Sequence, residues 1–130
     1  VSVVQELAED LPEAMLDGIQ VQQILLNLLR NAIEAVIEAR TAGREVRIRT
    51  GHDGAGWLVV EVSDNGKGVP PELASRIFDP FCTTKESGTG LGLAISRTIA
   101  EAHHGRLSCA ASPGGGARFI LQLPCPAGRH

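Results

Sequence analysis

The sequence predicts an α/β domain with two layers, in which a mixed sheet of five or more strands is covered on one face by about three helices. Segments with the alternating pattern of strands are grouped into hairpins, and two long amphipathic helices lie between these groups. The 130 residues, 43% of them hydrophobic, suit one compact domain that takes in residues 1–130. We therefore expect a single core between the sheet and the helices.

The first half of the chain predicts an edge strand, a long helix and a hairpin. Residues 1–7 alternate between apolar and polar, a short extended piece is expected at 14–16, and residues 19–40 have a helical period. Residues 46–50 and 57–62 then alternate on either side of glycine-rich turn residues, which predicts the two arms of a hairpin.

The second half predicts two helices and a closing hairpin. Residues 70–77 form a short helix that begins with two prolines, and residues 91–103 form a long one that ends before Gly105. Residues 107–111 and 118–123 are expected to be strands that flank a glycine-rich turn.

Composition excludes several functional classes. The longest apolar run, residues 57–60, is far shorter than the roughly 18–20 residues of a membrane helix. Because the start lacks a secretory pattern, we expect a cytoplasmic domain that does not contact a membrane. Nucleic-acid binding is not expected, since the net charge is −3 and aromatic residues make up only 3% of the chain. The three cysteines Cys82, Cys109 and Cys125 lack metal-ligand spacing and are interpreted as reduced and structural.

The first long helix carries two asparagines that could hold a metal. Asn27 and Asn31 are four residues apart on a polar stripe, so their amides project side by side. Amide oxygens are neutral hard ligands, suited to a magnesium ion whose anionic ligands are phosphates. A hydrogen-bonded surface pair explains the same two residues equally well. The apolar face of this helix consists of Val21, Ile24, Leu25, Leu28, Leu29, Ala32, Ile33 and Val36.

Asp64 and the glycines after it follow a strand that is expected to be buried. A carboxylate at a strand end can accept a hydrogen bond from the exocyclic amine of adenine, whereas guanine presents a carbonyl to the same group. Gly66 and Gly68 would let a ligand approach the backbone closely. An ordinary turn is the alternative interpretation of this segment.

A third candidate site is the glycine-rich segment at residues 88–93, which leads directly into the second long helix. Glycines at alternate positions leave N–H groups uncovered at the positive helix end, where phosphates bind. The pattern fits neither the P-loop nor the dinucleotide fingerprint, and a flexible linker is the alternative. Lys85 could meet a polyphosphate or merely add charge, and Phe78 with Phe81 could anchor a mobile flap or belong to the core.

Together and in this order, these segments resemble the ATP-binding catalytic domain of bacterial sensor histidine kinases, within the GHKL superfamily of gyrase, Hsp90-type and MutL-type ATPases. Residues 22–35 look like the N box, 64–68 the G1 box, 78–81 the F box and 88–93 the G2 box. Residues 78–105 are most similar to the oxygen-sensing and nitrogen-regulating kinases. The resemblance implies the Bergerat fold, with ATP between helices and sheet under a lid at about residues 67–90.

By position, the resemblance assigns magnesium to Asn31, the adenine amine to Asp64 and the phosphates to Lys85 with the G2 box. Asn31 and Lys85 are the implied catalytic residues, and ATP and Mg²⁺ the implied cofactors. The implied nucleotide-binding residues are Asn27, Arg30, Asn31, Ala35, Asp64, Gly66, Gly68, Ile77, Thr83, Thr84, Lys85, Gly88, Thr89, Gly90, Leu91, Gly92 and Leu93.

Three residues distinguish this chain within the superfamily. Asn27 stands where the ATPase branches carry a glutamate that activates water, which favours phosphoryl transfer over hydrolysis because an amide is not a base. Glu34 and Ala117 depart from relatives that carry a basic residue and a Thr or Ser at these positions, which implies a modest nucleotide affinity.

The phosphoacceptor histidine of the family has no match among the four histidines of this chain. We therefore expect it on an upstream dimerisation domain, with a response regulator as partner and this domain monomeric in isolation. Whether the full-length protein is anchored in a membrane is left open. The alternatives are a GHKL ATPase, an anti-sigma-type serine kinase and a nucleotide-binding module without catalysis.

Overall fold

The computed structural model describes residues 2–6, 18–39, 43, 45–52, 56–66, 68–69, 76–79, 92–111 and 115–124. These residues form five strands and two α-helices. In chain order the elements are β1 (Ser2–Glu6), α1 (Gly18–Ala39), β2 (Glu45–His52), β3 (Trp57–Asp64), α2 (Gly92–Ala102), β4 (Arg106–Ala111) and β5 (Ala117–Pro124).

The strands form one mixed sheet in the order β1-β2-β3-β5-β4. β1 runs parallel to β2, and the other neighbours are antiparallel. Both helices pack on this sheet, which confirms the predicted α/β class and the mixed five-stranded sheet. Most of the expected third helix, residues 70–75, lies outside the described residues, and residues 76–79 form a turn closed by the Asp79 N–H donating to the Arg76 carbonyl at 2.9 Å. Within the described part, neither helix is long and apolar enough to cross a membrane.

The core lies between the apolar stripe of α1 and the inner face of the sheet. Residues four apart on α1, which are Ile24, Leu28, Ala32 and Val36, are buried against sheet residues that include Val46, Val62, Phe119 and Leu121. Burying side chains of this size stabilises the fold by about 1.5–3 kcal/mol each. Because this stripe faces the sheet, Asn27 and Asn31 lie roughly 100° further round the helix axis, at the edge of the core. The predicted two-sided helix is thus confirmed, although Ile19, Leu26 and Ile37 are exposed.

β3 extends two residues beyond its predicted end at residue 62. Ser63 pairs with Arg47 and Asp64 pairs with Val46, so the turn begins only at Asn65. Ser-Asp-Asn-Gly is a typical turn sequence. Here, however, pairing with both neighbouring strands continues through Ser63, and this extends the strand to the buried Asp64.

α2 ends at Ala102 in a Schellman motif that includes Gly105, the glycine expected to stop the helix. The His104 N–H donates to the Glu101 carbonyl at 3.0 Å, and the Gly105 N–H donates to the Ala100 carbonyl at 2.8 Å. His104, with a φ of 61°, takes the left-handed position that glycine usually occupies. The predicted end at residue 103 is therefore late by one residue.

Asn65 connects the end of β3 to the segment between α1 and β2. Its Nδ2 donates to the Gly43 carbonyl at 2.7 Å, its Oδ1 accepts from the Glu45 N–H at 2.9 Å, and its own N–H donates to the Glu45 carbonyl at 3.3 Å. These three bonds fix the backbone immediately after Asp64. The side chain therefore determines where the glycine-containing segment leaves the sheet.

We expect Asn65→Ala to lower the free energy of unfolding by about 1–2 kcal/mol, because two backbone groups lose their side-chain partner. Asn65→Asp should also destabilise the fold, since it keeps the acceptor for the Glu45 N–H but places a carboxylate oxygen against the Gly43 carbonyl. Urea unfolding measures both changes. The matched amide control is Gln23→Ala on the exposed side of α1, expected to change stability by less than about 0.5 kcal/mol. Equal losses for Asn65→Ala and Gln23→Ala would contradict this role.

Candidate functional site

The first half of the site is the carboxylate of Asp64 at the end of β3. Only 4% of this residue is exposed, so the carboxylate needs hydrogen-bond donors from the protein. Its Oδ1 accepts from the Gly66 N–H at 2.9 Å and from the Ala117 N–H at 3.4 Å. Two backbone amides from separate segments therefore fix the position of the carboxylate.

Two glycines make the close packing around Asp64 possible. A Cβ on Gly66 would lie 2.7 Å from the carbonyl oxygen of Ala35 and 3.0 Å from Asp64 Oδ1. Gly116 has a φ of 83°, and a Cβ there would lie 2.6 Å from Asp64 Oδ1. Any side chain at either position would push the backbone away from the carboxylate. The structure thus brings together Ala35, Asp64 and Gly66, as the resemblance implied, and adds Gly116, which the sequence indicated only as a turn residue.

A cavity of about 380 Å³ lies beside the residues that surround this carboxylate. Its size is within the range of small-molecule pockets, and Gly116 and Ala117 belong both to its wall and to the surroundings of Asp64. Gly68 and Ile77, which the resemblance also implied, are in the wall as well. Its described lining is Gly68, Val69, Ile77, Cys109, Ala110, Ala111, Gly116 and Ala117.

Cys109 lines this cavity, and its thiol has a low reactivity. Burial raises its pKa to about 11, and the negative charge of Asp64 adds to the rise, while a hydrogen bond with the Arg118 backbone opposes it. A thiol with this pKa is protonated at neutral pH and is therefore a poor nucleophile. Cys109 is a free cysteine, which agrees with the structural interpretation, and Cys82 and Cys125 lie outside the described residues.

The second half of the site is where α1 meets the start of α2. Asn27 Nδ2 donates to the hydroxyl of Ser96 at 3.1 Å and to the carbonyl of Gly92 at 3.5 Å. A Cβ on Gly92 would lie 3.5 Å from Asn27 Oδ1, so the carboxamide lies directly against the first residues of α2. Asn27 and Gly92, 65 residues apart in the chain and both among the implied nucleotide-binding residues, are thus neighbours.

α1 links the two halves of the site. Ala35 contacts the Asp64 end and Asn27 contacts the α2 end, and eight helical residues cover about 12 Å. Asn31 is half-buried midway between them, and Arg30 beside it is exposed. The arrangement offers a buried carboxylate for an amine at one end and carboxamides beside a helix start for an anion at the other.

Several predicted site residues lie outside the described residues. They are Thr83, Thr84, Lys85, Gly88, Thr89, Gly90 and Leu91. Leu93, another of the implied residues, packs against the core. Phe78 also packs there, with its ring edge-on to Phe119 at 6.2 Å between centroids and with the Arg97 guanidinium 5.4 Å from its ring centre. For Phe78 the core interpretation is therefore supported.

Comparison with known proteins identifies the family. The model of the "Histidine kinase-, DNA gyrase B-, and HSP90-like ATPase" family matches residues 16–127. The chain is 42% identical over 124 residues to the signal transduction histidine-protein kinase AtoS of Escherichia coli, covering 95% of this chain and 20% of AtoS. It is 43% identical over 108 residues to the sensor protein FixL of Bradyrhizobium diazoefficiens, covering 83% of this chain and 21% of FixL. The chain thus spans about a fifth of the length of these curated relatives.

Solved structures agree with the sequence comparison. The catalytic domain of histidine kinase ThkA superposes with a TM-score of 0.80 at 34% identity, covering 95% of this chain and 78% of that one. Full-length ShkA in complex with AMPPNP gives a TM-score of 0.80 at 30% identity, covering 97% of this chain and 26% of that one. The predicted Bergerat fold and the resemblance to sensor histidine kinases are therefore confirmed. The chain belongs to the family of histidine kinase-, DNA gyrase B- and HSP90-like ATPases, and within it is similar to the catalytic domains of sensor histidine kinases.

Proposed function

We propose that this chain binds Mg-ATP and donates the γ-phosphoryl group to a histidine on a separate dimerisation domain, in two-component signalling with a response regulator. The observation that carries the proposal is the position of α1, which connects a buried carboxylate among glycines to Asn27 beside the start of α2, with the half-buried Asn31 between them. These are the chemical requirements of a purine at one end and a triphosphate at the other.

Asp64 would select the base. Its carboxylate accepts hydrogen bonds, so it favours the exocyclic amine of adenine and disfavours the carbonyl of guanine. Gly66 and Gly68 would let the base approach the backbone, and Ile77 would offer an apolar surface in the cavity wall. The backbone amides of Gly66 and Ala117 hold the carboxylate in place before a ligand arrives, so little reorganisation is needed on binding.

Asn31 would hold magnesium. A neutral amide oxygen fits an ion that keeps several waters and takes its anionic ligands from the triphosphate, and magnesium would neutralise charge on the phosphates. Arg30, Lys85, Thr83 with Thr84, and the G2 residues 88–93 would contact the phosphates. In this proposal residues 67–90 form the lid over the nucleotide.

Asn27 supports transfer over hydrolysis. Its carboxamide donates to Gly92 and Ser96, and an amide cannot take a proton from water. Phosphoryl transfer depends mainly on positioning and charge stabilisation, both of which this site offers. The acceptor histidine and the response regulator are proposed by analogy with the sensor kinases, of which this chain spans only a part. A cytoplasmic location is part of the proposal because ATP is the substrate.

We expect Asp64→Asn to reduce the preference for ATP over GTP at least tenfold, since a charge-assisted hydrogen bond contributes about 1.5–3 kcal/mol. Competition of ATP and GTP against a fluorescent ATP analogue measures the preference. Glu61→Gln is the matched control, because Glu61 is on the same strand and paired with Arg118 across the opposite face of the sheet. An unchanged preference in folded Asp64→Asn would remove Asp64 as the base-selecting residue.

We expect Asn31→Ala to weaken nucleotide binding about tenfold in the presence of Mg²⁺ and by less than about twofold in EDTA, because the lost oxygen is a metal ligand. Titration with the fluorescent analogue under both conditions measures this. Gln23→Ala, on the exposed side of the same helix, is the control. Equal losses with and without Mg²⁺ would argue against a metal ligand at Asn31.

We expect this chain to transfer phosphate from γ-labelled ATP to a supplied sensor-kinase dimerisation domain, as acid-labile and base-stable phosphohistidine. Replacing the acceptor histidine of that domain with alanine is the control. Rapid ATP hydrolysis by this chain without transfer would instead support a GHKL ATPase. Acid-stable phosphoserine on a supplied substrate would support an anti-sigma-type kinase, and nucleotide binding without either reaction would support a binding module.

A further inference from the structure

Ser96 is a buried polar residue to which the proposed function gives no role. It lies on α2 with 0% of its surface exposed, in a helix whose other buried residue is Ala100. Its hydroxyl oxygen accepts a hydrogen bond from Asn27 Nδ2 at 3.1 Å. A buried hydroxyl needs a partner, and here the partner is a side chain of the site itself.

The hydrogen bonds of Asn27 define the orientation of its carboxamide. The carbonyl of Gly92 is only an acceptor, so the NH₂ group, and not the oxygen, must face it. The χ2 angle of asparagine has a broad distribution, so the orientation of the carboxamide depends on its hydrogen-bond partners. The bond to Gly92 is long at 3.5 Å, whereas the bond to Ser96 is 3.1 Å. Ser96 is accordingly the stronger of these two anchors.

We propose that Ser96 is a positioning residue for nucleotide binding, which acts by holding the Asn27 carboxamide in one orientation against the start of α2. The inference rests on the proposed function. Asn27 is one helical turn from Asn31 on the same stripe, so the direction of its amide dipole affects the electrostatics where the magnesium-bound triphosphate would lie. Without the hydroxyl, Asn27 would keep, among the hydrogen bonds to residues that the structure describes, the long one to Gly92, and its carboxamide would be held less firmly in this orientation.

The same hydrogen bond also links the two helices of the site. α1 carries Asn27 and Asn31, and α2 follows directly on the glycine-rich segment at residues 88–93. Loss of the bond is therefore expected to affect nucleotide affinity through Asn27. If Ser96 only filled space between the helices, its replacement would change stability, and any effect on nucleotide affinity would not depend on Asn27.

A double-mutant cycle tests this dependence. Wild type, Asn27→Ala, Ser96→Ala and the double variant are titrated with a fluorescent ATP analogue, with Mg²⁺ and in EDTA, at a temperature where all are folded. Ser96→Ala is expected to weaken Mg-nucleotide binding about fivefold to tenfold, as loss of one buried hydrogen bond implies. The double variant is expected to bind no more weakly than Asn27→Ala, because Ser96 acts only through Asn27.

Two further variants separate positioning from packing. Thr98→Ala removes an exposed hydroxyl of the same helix, which donates to the Ala94 carbonyl at 3.0 Å, and should leave affinity within about twofold. Ser96→Cys keeps a side chain of similar size but offers a weak acceptor, so it should bind nucleotide as weakly as Ser96→Ala. It also serves as the test variant if Ser96→Ala does not fold.

The outcomes distinguish the inference from the function on which it rests. If the wild-type chain does not bind nucleotide, the proposed function fails and the inference fails with it. If wild type binds nucleotide while Ser96→Ala and Ser96→Cys bind equally well, the inference alone is overturned. Additive losses in the double variant would overturn it too, since they would show that Ser96 acts independently of Asn27.

Discussion

The buried carboxylate of Asp64 is the constraint on which the rest of the site depends. Placing a carboxylate almost out of reach of water costs free energy unless donors surround it, and the donors here are backbone N–H groups of Gly66 and Ala117. Both segments must therefore approach Asp64 closely, which the absence of a Cβ at Gly66 and Gly116 permits. Asn65 fixes the backbone between Asp64 and Gly66 by its bonds to Gly43 and Glu45. The buried charge at the end of β3 thus determines how closely the neighbouring backbone segments pack beside the cavity.

α1 connects the Asp64 end of the site to the end beside α2. Its buried stripe, centred on Leu28 and Ala32, sets the rotation of the helix on the sheet, and this rotation places Asn27 and Asn31 at the edge of the core. Ala35 approaches the Asp64 segment, whereas Asn27 bonds to α2. The helix therefore sets both the spacing and the orientation of the groups at the two ends of the proposed site. Packing of the core and geometry of the site are consequences of the same helical repeat.

Local patterns in the sequence were sufficient for most elements of the fold. The period of residues 19–40 predicts α1 and its two faces, and glycine-rich turns separate the strands. The sequence predicts the end of β3 two residues too early. Residues 63–66 have a typical turn sequence, and only the pairing with β2 and β5 shows that the strand continues. The individual contacts between distant segments do not follow from local patterns. Ser96 looks like any small residue of an amphipathic helix, and Gly116 like any turn glycine, until Asn27 and Asp64 are brought beside them.

Nucleotide binding as proposed requires one continuous cleft along α1, with the base at Asp64 and the triphosphate at the two asparagines. A crystal structure of this chain with a non-hydrolysable ATP analogue and Mg²⁺ tests this directly. We expect the adenine amine within hydrogen-bond distance of the Asp64 carboxylate, about 2.7–3.2 Å between heavy atoms, and the metal bound to Asn31 Oδ1. A nucleotide whose base lies away from Asp64, or whose phosphates lie away from the Asn27 and Asn31 stripe, would contradict it.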